Sequence, residues 1–206
     1  MKKRLSLILL CGVMALCGTS CSSDKTTESS STVNYQGEAQ KADSAEEALK
    51  EFFRLNYTRD SGEAAFNYMY IQPIIDNMIE KDEYRQRVLE YNNGKNEYLD
   101  LVSTVPYIKS INEMTPFNEE QLGWASQYFI DYAASMGVTV DSVSVAEGYS
   151  FQCTVVDQNG NEKPDTECLV KIEEEGWKYI TSLTDLESMY GSGEANTTAA
   201  ATTVSE

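Results

Sequence analysis

Tyr149-Ser150-Phe151-Gln152-Cys153-Thr154-Val155-Val156, followed after a turn-rich segment by Cys168-Leu169-Val170-Lys171-Ile172, is the stretch that decides the fold. Phe151, Cys153 and Val155 alternate with Gln152 and Thr154, and Cys168, Val170 and Ile172 alternate again, the period of half-buried strands. A turn centred on Gly160 and Asn161 within Asp157–Asp165 sets Cys153 opposite Cys168, Phe151 opposite Val170 and Tyr149 opposite Ile172. One register then aligns both apolar faces of a hairpin.

Outward from this hairpin the chain stays β-like on both sides. Glu173 to Gly176 forms a second turn, with Gly176 free to take positive φ, and Trp177-Lys178-Tyr179-Ile180 is the last strand. On the N-terminal side, Val138, Val140, Val143 and Val145 keep a period of two into a turn at Ala146-Glu147-Gly148. Upstream the period becomes helical. Asn118 is a good N-cap with Gln121 at the capping-box position, and Leu122, Ala125, Phe129, Tyr132, Ala133 and Met136 share one face before Gly137 closes the helix.

Further upstream, Ser44-Ala45-Glu46-Glu47 is a capping box for a first helix reaching about Tyr57, with Ala45, Ala48, Leu49, Phe52 and Phe53 in one stripe. Asp60-Ser61-Gly62-Glu63 starts a second helix, which Pro73 ends. A third runs from Ile74 through Met78, Tyr84, Val88 and Tyr91 to a stop at Asn92-Asn93-Gly94. Tyr98–Val105 fits helix or strand equally, and Pro106–Ile111 is weakly strand-like.

The two ends have a different composition. Met1-Lys2-Lys3-Arg4, an apolar run from Leu5 to Leu16 and small residues before Cys21 make a secretory signal too short to be a permanent membrane span. A cysteine followed by Ser22-Ser23-Asp24 resembles a bacterial lipoprotein signal, and the resemblance implies that Cys21 becomes the acylated N-terminus; Gly18 stands where such signals usually carry Leu. The expected organisation is a signal peptide over 1–20, a polar disordered tether over 21–43, one α+β domain over 44–186 and a disordered Gly/Ser/Thr/Ala tail over 187–206. Cleavage before Cys21 removes three of 16 basic residues and no acid. The mature chain then carries 33 acids against 13 bases, a formal charge of −20. Such a surface repels phosphate backbones, so nucleic acid is excluded as a partner, and a lipid anchor is the expected link to the outer face of the cell membrane.

Amphipathic helices followed by an antiparallel meander ending in Glu-Glu-Gly-Trp-Lys resemble the NTF2-like (cystatin-like) superfamily, and in particular such domains in small Gram-positive lipoproteins. The resemblance rests on Ser44–Tyr57 as the opening helix, Asn118–Met136 before the sheet, Glu147-Gly148-Tyr149 at a strand start and Gly176-Trp177-Lys178 near the end. It implies N-terminal helices packed on a curved C-terminal sheet, with a cone-shaped cavity that some members use for small ligands or for isomerase and dehydratase chemistry.

The chain has no histidine, which excludes Ser/His/Asp and Cys/His nucleophile systems and histidine-ligated zinc or haem. No cofactor motif is present. In an exported protein Cys153 and Cys168 suit a cross-strand disulfide worth on the order of 3 kcal/mol, with two buried free thiols as the alternative. Asp157-Gln158-Asn159-Gly160-Asn161 begins like a calcium loop but has Glu162 where glycine is needed and Cys168 where an acid is needed, so it reads as a polar turn. Tyr68, Tyr70, Trp124, Tyr128 and Tyr132 are candidate ligand-lining aromatics, with core packing as the competing role. Asp76, Asp131 and Glu147 could serve as buried bases, but nothing pairs them with an electrophile-stabilising group. The expected function is a surface-anchored, non-enzymatic binding or interaction domain. A small-molecule carrier is the alternative, and a carboxylate-dependent isomerase or hydrolase stands behind both.

Overall fold

The computed structural model describes residues 42–191, and the signal segment, Cys21, most of the tether and the tail from residue 192 lie outside the described residues. The element order is α1 (Ala45–Asn56), α2 (Gly62–Met69), α3 (Gln72–Glu80), α4 (Tyr84–Leu101), β1 (Tyr107–Pro116), α5 (Glu119–Ser135), β2 (Val145–Val156), β3 (Glu162–Ile172), β4 (Gly176–Ile180) and α6 (Leu183–Tyr190). The class is α+β, and the four antiparallel strands lie in the order β1-β2-β3-β4.

Local sequence explains the helix starts. Ser44 Oγ accepts from the Glu47 N–H at 3.2 Å, while the Glu47 carboxylate reaches one residue further back, to the Asp43 N–H at 3.1 Å. Asn118 and Gln121 form the complete reciprocal box, 2.9 Å each way. The start expected at Asp60-Ser61-Gly62-Glu63 lacks a side-chain cap, since α2 follows Ser61, whose Oγ donates to the Leu55 carbonyl at 2.6 Å and tightens the end of α1 instead.

The expected stop at Asn92-Asn93-Gly94 does not occur, because α4 continues to Leu101. Tertiary partners outweigh propensity there. Asn92 Oδ1 accepts from the Gly62 N–H at 2.8 Å, Tyr91 donates to Asn56 at 2.8 Å, and buried Lys95 donates to Ser61 Oγ at 2.5 Å. These contacts offset the roughly 1 kcal/mol that a mid-helix glycine costs.

The hairpin register also differs from the sequence expectation, by three residues. Cys153 pairs with Asp165, Cys168 with Ser150 and Tyr149 with Leu169. The cause is the turn. Asp157 Oδ1 accepts from the N–H groups of Asn159 (2.8 Å) and Asn161 (2.9 Å), and Gly160 takes φ +80°, closing the loop over Asp157–Asn161. Lys163 pairs with Asp157 at 2.5 Å, and this bond with the two backbone donors holds the carboxyl down at about 2.

This register places Cys153 and Cys168 on opposite faces of the sheet, since Cys168 shares a face with Ser150, three residues from Cys153 on an alternating strand. The expected disulfide is therefore not formed, and both are free, buried thiols. Burial pushes Cys153 to about 12 and Cys168 to about 11.

The two faces have different covers. Phe151, Cys153, Val155, Leu169 and Trp177 pack with Ala48, Leu49, Phe52, Ala65 and Tyr68 of α1 and α2. On the other face, Phe117 presses on Gly148 and Val170, and α5 and α6 supply Phe129 and Leu186, both fully buried. The expected turn at Ala146-Glu147-Gly148 is instead an irregularity within continuous β2, and a Cβ on Gly148 would stand 2.7 Å from the Phe117 ring. Residues 187–190, assigned from sequence to the tail, complete α6, which Ser182 caps and Tyr190 ties to Asp131 at 2.9 Å.

Candidate functional site

β1 is an edge strand, and among the described elements only β2 and α1 make extended contact with it. Its pairing with β2 slips at Lys109 and at Asn112. Each bulge inserts one residue, so Ile108, Ile111 and Met114, three apart, all align with the α1-facing Val155, Cys153 and Phe151. Met114 at 48%, Tyr107 at 51% and the preceding Val105 at 52% exposure leave an apolar margin in solvent.

α1 crosses this margin and leaves a cleft near each of its ends. Near its C-terminus, Phe53, Arg54, Tyr57, Val105, Tyr107 and Ile108 line an open cleft of about 270 Å³. Near its N-terminus, Asp43, Glu46, Met114, Glu147, Tyr149 and Trp177 line another of about 320 Å³. The first is apolar with basic side chains at its rim, whereas the second is acidic. Lys171 sits 5.6 Å over the Trp177 ring and 3.4 Å from Glu147.

The most perturbed acid of the sheet lies on the same α1-facing side. Glu167 pairs with Phe151 on the α1 face, and burial raises its carboxyl to about 7 despite a 2.6 Å hydrogen bond donated by Tyr179; Asp165 adds to the rise. Burial likewise raises the Tyr57 phenol, with Tyr98, Glu167 and Asp165 contributing. Tyr57 also lines the apolar cleft, so it links that cleft to Glu167. The sequence reading missed Glu167 because its register turned the side chain outward.

The aromatic candidates separate into two places. Tyr68 is core, 2% exposed, and burial raises its phenol to about 12. Tyr70, Tyr128 and Tyr132 come together, with Tyr70 stacked on Tyr132 at 6.1 Å and Tyr132 on Tyr128 at 6.0 Å. Trp124 is half-buried on α5. Neither cleft is lined by any of the five. Of the carboxylates considered as bases, Asp76 accepts from Gln72, Asp131 from Gln127 and Tyr190, and Glu147 from Tyr149. Among the described residues no three Cys, Asp or Glu side chains are grouped to hold a metal, and no helix is long and apolar enough to cross a membrane. Comparison of the chain with protein-family models, curated proteins and solved structures finds no match.

Proposed function

We propose that this chain is a lipoprotein anchored through Cys21 on the extracytoplasmic face of the cell membrane, and that its domain, NTF2-like in type, is a non-enzymatic binding module. Its interaction surface is the β1 edge with the cleft beside Tyr57 and Tyr107. The observation that carries this reading is the ten-residue edge strand, whose Tyr107 and Met114 stay in solvent while its Ile108 and Ile111 pack against a sheet interior filled by Phe52, Tyr68, Phe151 and Trp177. Exposed apolar side chains along an unpaired edge favour association.

One observation favours a second, catalytic reading. Glu167 is a half-buried carboxylate raised to about 7 beside a tyrosine donor, the pattern of a general base. It ranks second because Glu167 lines neither cleft, so a substrate has no open route to it there. The carrier reading needs an enclosed cavity, and both clefts are open.

Two measurements test the proposal. Globomycin treatment should accumulate a precursor retaining residues 1–20, and Cys21→Ala should move the protein out of the membrane fraction; unchanged processing and partition contradict the anchor. Native mass spectrometry of the mature chain carrying Cys21→Ser, which takes no lipid, should give the bare chain mass or integer multiples of it. A small extra mass lost on denaturation contradicts the module reading in favour of the carrier.

A further inference from the structure

We propose that the β1 edge pairs with the β1 edge of a second copy of this chain, antiparallel about a two-fold axis at Ile111, joining two four-stranded sheets into one. The inference rests on the reading of β1 as the interaction edge and names its partner.

Residues 106–116 read Pro-Tyr-Ile-Lys-Ser-Ile-Asn-Glu-Met-Thr-Pro, a sequence that is self-complementary about Ile111. Folded against itself about that residue, Lys109 meets Glu113 of the partner subunit, Ile108 meets Met114 of the partner subunit, and Ile111 meets its own equivalent. Ser110 then meets Asn112 of the partner subunit, and Tyr107 meets Thr115 of the partner subunit. Pro106 and Pro116, which lack an N–H, close the ladder at its two ends. Lys109 and Glu113 join opposite charges, and Ile108, Ile111 and Met114 meet apolar side chains, while Tyr107 alone of the apolar row meets a polar one.

The faces agree as well. Antiparallel pairing requires directly opposed residues to share a face. The β1–β2 register puts Ile108, Ile111 and Met114 on the α1 face, and Tyr107, Ser110, Glu113 and Thr115 on the other. The bulged Lys109 and Asn112 reach Glu162 and Thr154, also away from α1. Every pair in the two-fold register therefore joins side chains of one face. Shifting it by one residue sets Lys109 against Asn112 or Met114 and flips the apolar row out of line.

The test is sedimentation equilibrium of the mature chain carrying Cys21→Ser, so that no lipid drives association, at near-physiological salt, where a Debye length of about 8 Å damps the long-range repulsion between two acidic chains but leaves a contact ion pair readable. A concentration-dependent dimer is expected. Glu113→Lys alone and Lys109→Glu alone should each weaken it on the order of tenfold, and the double swap should restore it to within about threefold. Glu113 is exposed, with Thr115 Oγ1 at 3.4 Å, so Glu113→Lys leaves the fold intact and a thermal melt checks this. In a Cys153→Ala background, which removes the free thiol directly across from residue 111 on β2, Ile111→Cys should form an intermolecular disulfide on oxidation, while Leu89→Cys, on exposed α4, should not. A monomer at all concentrations, or a dimer indifferent to the charge swap, overturns the proposal. If the monomer is nevertheless cross-linked through Tyr107 to a different protein, the second-copy inference fails and the interaction-edge reading stands; if no adduct forms there at all, both fail.

Discussion

The two edges of the sheet are built in opposite ways. β4 spans only Gly176–Ile180 and α2 packs along it. Buried Lys178 fastens it, donating to the Asn67 carbonyl at 2.9 Å and pairing with Glu175, which accepts from the Gln72 N–H at 2.8 Å. The part of β3 that outruns β4 carries Pro164 within the strand, where its missing N–H interrupts a ladder, whereas the prolines of the β1 segment stand only at its two ends. β1 is twice as long as β4, and its outer side has no such cover. One edge is covered by a helix and an ion pair and the other is left bare, and this contrast is why we propose the bare edge as the surface for function.

The contrast can be broken from either side. Lys178→Ala should have the largest effect, a loss of about 2–4 kcal/mol, because it leaves Glu175 and the Asn67 carbonyl without their cation. Urea unfolding measures it, and a loss below about 1 kcal/mol would show that the staple does not hold the β4 edge. Glu167→Gln should come next and act with the opposite sign. The folded-state value near 7 lies above the unfolded value near 4.3, so the folded state holds more protons between the two and stability falls as pH rises through that window. The Gln variant should lack this fall and be more stable above pH 7 by about 1–3 kcal/mol. Equal pH profiles for the two proteins would remove Glu167 from the buried cluster.

Smaller effects sharpen the other side. Tyr107→Ser, at the bare edge, should change monomer stability by no more than about 0.5 kcal/mol while weakening association. A large loss of stability would make β1 part of the interior. The thiols should give no signal in the native state. Cys153 and Cys168 should resist alkylation until unfolding and then both react without reductant, whereas a linked Cys153–Cys168 peptide would contradict the register.

Where a side chain acts on its own backbone, the sequence was a sufficient guide. Ser44, Asn118 and Gly176 mark their helix starts and turn through local hydrogen bonds or φ. It misled where distant groups decide. Asn92 and Lys95 hold α4 through a glycine only because Gly62 and Ser61 wait opposite. Cys168-Leu169-Val170 is buried on both faces, so alternation could not choose the face, and the Asp157 turn set the register instead. The period-three row Ile108, Ile111, Met114 left only Pro106–Ile111 legible as weakly strand-like, since two bulges are needed to bring those residues to one face and the strand runs on to Pro116. The aromatic stack of Tyr70, Tyr128 and Tyr132 was legible as residue types, but nothing local in the sequence joined Tyr70 to α5.

A photo-cross-linking amino acid placed in the full-length protein on living cells, in turn at Tyr107, Met114 and the β4 residue Tyr179, tests most directly whether the bare edge is the working surface. Discrete adducts from Tyr107 and Met114, with none from Tyr179, are the result expected. Adducts from Tyr179 with none from the β1 positions would contradict the account.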